Sequence, residues 1–128
     1  MRTVAPLVLA LVAGAASAGS VPYSDSYAAN ESLLPGYYAC RADGTGDVSW
    51  SFDLFPDGSY TVRGVPKSGG RYALDPSGDV IFSGGFWDDP DIHATSTRRK
   101  SDGTPTLHIA TAIDARTWFL DICPLVDP

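Results

Sequence analysis

The chain has 128 residues, with 9 Lys and Arg against 15 Asp and Glu, a formal net charge of −6. So acidic a surface argues against nucleic acids and anionic membranes as partners, because both need a positive patch to displace counterions. Thirteen Gly and ten Pro, with three Trp, six Tyr and five Phe, exclude a helical bundle and indicate many turns around an aromatic-rich core.

Met1 to Ala18 carries one positive charge at Arg2, an apolar run from Val4, and small residues at Ala16 and Ala18. These are the parts of a secretory signal peptide cleaved after Ala18. The run is shorter than the ~20 residues of a membrane-spanning helix. No cysteine follows it to carry a lipid anchor. The expected product is a secreted or periplasmic single domain of about 110 residues. Loss of Arg2 leaves 8 cations against 15 carboxylates.

Gly19 to Leu34 has no sustained period and is expected to be a flexible lead-in, with the β domain occupying residues 35–128. Asn30-Glu31-Ser32 fits a glycosylation sequon, which matters only in a eukaryotic secretory pathway. The first strand is Tyr37 to Ala42, and Asp43 to Asp47 is a turn. The second, Val48 to Phe55, has the clearest alternation in the chain, with Val48, Trp50, Phe52 and Leu54 on one face. Pro56-Asp57-Gly58 makes a tight hairpin into the third strand, Ser59 to Arg63, with Tyr60 and Val62 inward.

After the loop from Gly64 to Gly70, the fourth strand, Arg71 to Leu74, buries Tyr72 and Leu74. A turn at Asp75 to Gly78 leads to the fifth, Asp79 to Ser83, with Val80 and Phe82 inward. Residues 84–91 form the longest irregular segment, with Phe86, Trp87 and three carboxylates. Ile92 to Thr97, Thr104 to Thr111 and Thr117 to Cys123 complete eight strands, the last with Trp118, Leu120 and Ile122 on the inward face and ended by Pro124.

Eight short strands with short turns predict an all-β fold, an antiparallel up-and-down eight-stranded barrel, with a two-sheet sandwich as the alternative. Cys40 on the first strand and Cys123 on the last favour closure, since a disulfide needs Cα atoms within ~7 Å. An isolated pair in an exported chain is most simply a disulfide.

At Gly36-Tyr37-Tyr38 the chain resembles the lipocalin and avidin group of eight-stranded barrels, whose first strand carries Gly-x-Trp with an Arg near the last strand packed over the ring. Here Tyr38 stands in the Trp position, Arg116 in that of the Arg, and the other lipocalin motifs are absent. The resemblance implies a carrier of a small ligand. The chain is similar in size, export and single disulfide to small secreted bacterial metalloprotease inhibitors, which implies an alternative part for Gly19 to Leu34 as a segment entering a protease cleft.

The sequence carries no catalytic constellation. His93 and His108 are expected on the exposed sheet face, no serine lies in a nucleophile elbow, and Asp53 and Asp121 read first as solvated mid-strand carboxylates, or as binding groups if the barrel encloses a polar cavity. Asp88, Asp89 and Asp91 offer oxygen ligands for calcium but do not fit a twelve-residue binding loop, and Asp is common in turns for its own hydrogen bonds. No metal and no cofactor is therefore expected. Trp50, Phe52, Tyr60, Tyr72, Phe82 and Trp118 are expected to share the interior, either filling it or lining a site for one small ligand. Phe86 and Trp87, in a Gly- and Asp-rich loop at the rim, are expected either to form a lid or to plug the end. The expected function is non-catalytic binding of a small apolar ligand at the mouth or of an extracytoplasmic protein, with a structural envelope protein as a third reading.

Overall fold

A computed structural model describes residues 25–43 and 45–128; the signal peptide expected at residues 1–18 and the start of the lead-in lie outside them. Among the described residues there are nine strands and no helix: β1 (Tyr27–Ala29), β2 (Gly36–Ala42), β3 (Val48–Leu54), β4 (Ser59–Val62), β5 (Gly70–Leu74), β6 (Asp79–Ser83), β7 (Ile92–Arg99), β8 (Pro105–Ala112) and β9 (Trp118–Asp127). Every neighbouring pair from β2 to β9 is antiparallel, and β9 returns to pair with β2, so these eight strands close into a barrel. Closure pairs the first strand of the barrel with the last.

The seam between first and last strands is clamped by sulfur. In β2 and β9, Tyr38 lies opposite Leu125 and Arg41 opposite Ile122. Cys40 and Cys123 therefore face each other in the interior, where they form a disulfide with Cα atoms 3.9 Å apart. The last strand continues through Pro124, expected to end it, to Asp127. Proline removes one donor from a ladder, and a register shift between Tyr37 and Tyr38 marks where the β2–β9 pairing becomes irregular.

The hairpins follow from turn chemistry. Asp57 Oδ1 accepts from the Ser59 amide at 2.9 Å, and Asp75 Oδ1 accepts from the Ser77 amide at 2.8 Å. Gly58 and Gly78 supply the positive φ that each reversal needs. A bulge between Cys40 and Arg41 sets Ser49 out of register on β3, and its hydroxyl donates to Asp121 Oδ1 at 2.8 Å.

The lead-in is paired into the sheet from Tyr27 onward. Strand β6 pairs with β7 only near Thr95, and β1 occupies the same edge of β7 further along, with Tyr27 opposite Arg99 and Ala29 opposite Thr97. Ser96 Oγ then donates to the Ser32 carbonyl at 2.8 Å, and Tyr38 Oη donates to the Leu34 carbonyl, so residues 30–34 are drawn across one end of the barrel. Local periodicity gave no sign of this, because a three-residue strand owes its order to the unpaired edge that it covers.

Tyr38, Phe52, Leu54, Tyr60, Val62, Leu107 and Ile109 form the buried core. Tyr38 stacks on Phe52 with ring centroids 5.2 Å apart. Arg116, the counterpart of the lipocalin arginine, lies before β9 starts, nine residues along the chain from the Leu125 that faces Tyr38. The cation over a ring on β2 is instead Arg63, 3.8 Å from the Tyr37 centroid.

Candidate functional site

The connections at residues 43–47, 63–69, 84–91 and 113–117 share one rim of the barrel. Six of the ten exposed large apolar side chains among the described residues lie there: Val48, Trp50, Phe86, Ile113, Trp118 and Phe119. Single exposed apolar residues are ordinary, but their gathering at one end marks a contact surface. The same connections carry Asp43, Asp47, Asp88, Asp89, Asp91 and Asp114 against Arg63, Lys67 and Arg116. Arg63 is already spent in a two-pronged ion pair with Asp53 at 2.8 Å. The rim is thus both aromatic and acidic.

Residues 84–87 are held by Tyr60. Its hydroxyl donates to the Gly84 carbonyl at 2.8 Å and accepts from the Trp87 amide at 2.9 Å. The Phe86 amide donates to the Ser68 carbonyl at 3.0 Å, and Asp88 Oδ2 accepts from the Gly84 amide at 2.8 Å. The backbones touch closely enough that a Cβ on Gly70 would lie 2.1 Å from the Gly84 oxygen. Only glycine permits that approach. Burial raises the Tyr60 phenol above its ordinary pKa, so it remains protonated and able to donate.

This anchoring separates the two neighbouring aromatics. Trp87 is 4% exposed, edge-on to Phe52 at 4.6 Å and stacked on Tyr60 at 5.8 Å, with Phe82 at 5.2 Å. It plugs the barrel. Phe86 remains 38% exposed and leans on the equally exposed Trp50 at 5.1 Å. Trp50, Tyr60, Phe82, Phe86 and Trp87 are thereby joined in one ring network, in which Tyr60 and Trp87 are buried, Phe82 is half-buried, and Trp50 and Phe86 are exposed.

Two members of the expected set lie elsewhere. Tyr72 is half-buried, and its hydroxyl donates to the Phe55 carbonyl at 2.7 Å, toward the opposite end. Trp118 is on the outer face and 47% exposed, its ring 5.3 Å from that of His93. The expected facing of the last strand is reversed: Phe119, Asp121 and Cys123 point inward. Side chains alternate, and Cys123 must face Cys40, so the odd positions are inside. That parity, legible in the cysteine itself, would have found Asp121 and Phe119.

Asp121 is accordingly 4% exposed rather than solvated. Burial raises its pKa above the usual carboxylate range, and the neighbouring charge of Asp43 pushes the same way while the Ser49 hydrogen bond opposes. His108, expected on an exposed face, is fully buried, with the Tyr27 ring edge-on at 4.6 Å, and burial lowers its pKa to about 4. Asp88 and Asp89 cap backbone amides of their own turn. Among the described residues no group of three or more His, Cys, Asp or Glu is placed to hold a metal ion.

Compared with protein families, with curated proteins and with solved structures, the chain matches none. The disulfide is consistent with an oxidising, extracytoplasmic location. No described helix is long and apolar enough to cross a membrane.

Proposed function

We propose that this is an exported, non-catalytic binding protein that engages an extracytoplasmic protein through the aromatic, acidic rim around Trp50 and Phe86. The observation that carries this reading is the contrast between two adjacent rings. Trp87 and the interior aromatics pack on one another, whereas Phe86, on the hydrogen-bonded 84–87 segment, and Trp50, on β3, remain exposed. Exposing such rings without a use is unfavourable, and a preorganised anchor saves the ordering cost of binding. Aromatic anchors at the centre of an interface commonly dominate its energy.

The test is a photo-reactive phenylalanine analogue at Phe86, compared with one at Ile81 on β6, in the native host. An adduct expected from position 86 alone, and lost when Trp50 becomes alanine, supports the rim. A small molecule that co-purifies in stoichiometric amount and remains bound after Trp50 and Phe86 are both replaced by alanine would establish an interior carrier and end this reading.

A further inference from the structure

Asp121 is a buried, inward-facing carboxylate that the rim reading leaves without a use. On β9 it sits one inward position below the exposed Phe119; its neighbours across the two adjoining ladders are Ala42 and Ile109, and Cys123 is the next inward residue beneath it. Its one hydrogen bond among the described residues is the donation from Ser49 Oγ to Oδ1, and Oδ2 accepts none. A carboxylate has room for about four donors. Among the described residues no cation pairs with Asp121: the ion pairs are Arg63 with Asp53 and Arg99 with Asp102, and the Arg41 guanidinium donates to the Gly46 carbonyl.

We propose that Asp121 is the seat for a Lys or Arg side chain of the partner protein, inserted through the rim beside Trp50 and Phe86. The inference rests on the rim reading and names the group that the rim admits. A buried carboxylate with one donor is costly when ionised, and an ammonium or guanidinium supplies what it lacks in one step. Aromatic faces at the opening attract the same cation. The six rim carboxylates raise its local concentration, and anionic groups are repelled. Of the titratable groups on the elements around it, Asp43 faces Asp121, while Arg41 on β2 and His108 on β8 lie on outward positions. Both Asp43 and burial hold the proton on Asp121, so a bound cation drives that proton off, and affinity rises with pH through the Asp121 titration.

The experiment uses the mature protein and two blocked tripeptides, N-acetyl-Gly-Lys-Gly-amide and its Gln twin, followed by NMR at the Asp121 carboxyl carbon and the Trp50 indole. The expected result is binding of the lysyl peptide at least about tenfold tighter than the twin, with a downward shift of the Asp121 titration. Asp121→Asn should erase the preference. Should that variant not fold, Ser49→Ala keeps the carboxylate, and the same peptide-induced drop in its titration is expected. Equal binding of the two peptides, an unshifted Asp121 titration, or an unchanged preference in a folded Asp121→Asn protein overturns the proposal. So does binding of benzylammonium with none of the lysyl peptide, because the occupant is then a free amine. Loss of the lysine preference in Asp121→Asn, together with a Phe86 adduct indifferent to Trp50→Ala, would retain the cation seat and remove the rim reading. The converse pattern would do the opposite.

Discussion

Trp87→Ala tests the packing of Trp87 as the plug of the barrel end. A Trp side chain buries about 150–250 Å², which at ~25 cal/mol per Å² corresponds to about 4–6 kcal/mol of transfer free energy. Alanine retains part of that, and the void left against Phe52, Tyr60 and Phe82 adds a cavity penalty, so the expected loss is about 3–5 kcal/mol. In a domain of this size such a loss lowers Tm by at least about 12 °C. Phe86→Ala, one residue away but exposed, is expected to cost about 1 kcal/mol or less. The assay is urea unfolding with the disulfide intact, comparing midpoints at unchanged m. If the two variants lose the same small amount, Trp87 is not part of the packed interior and the barrel end is open. The interior aromatics are then not consumed as core.

Other perturbations test the remaining parts of the architecture. Gly70→Ala drives a Cβ against the Gly84 carbonyl oxygen, a backbone atom that no side-chain rotation can move aside; a loss of about 1–3 kcal/mol and a red shift of Trp87 fluorescence are expected. Wild-type stability with unchanged emission would show that the contact is not tight. Reducing the Cys40–Cys123 bridge should cost about 2–5 kcal/mol in urea unfolding, since it closes a loop with a sequence separation of 83, and a negligible change would mean that the β2–β9 ladder alone secures closure. His108 has a folded pKa of about 4 against an ordinary 6.5, so the unfolded chain takes up the proton first. The stability it confers is complete above about pH 7 and is lost as pH falls through the window from 6.5 to 4, by at most about 3 kcal/mol. Asp121, with its pKa raised, acts in the opposite sense, so thermal melts of His108→Gln across that window isolate the histidine; an unaltered slope would refute the assignment.

Much of the barrel could be read from residue order. The eight principal strands, their hairpins and the sulfur clamp follow from two-residue alternation, from Asp, Pro and Gly at the reversals, and from two cysteines at opposite ends of the domain. These are local signals, or a single covalent constraint, and either can be read along the chain. The aromatic composition pointed to rings in the interior, as filling or as the lining of a site. Only the tertiary structure decided which rings were inside. Trp50 and Phe52 share a face of β3, yet one is exposed and the other buried, because position along the barrel axis relative to the Trp87 plug is not a property of alternation. Strand β1 exists because β7 outruns β6, and Asp121 is inside because its strand is turned by Cys123. In each case the deciding neighbour is distant in sequence, and the free energy belongs to a surface that forms only when the sheet closes.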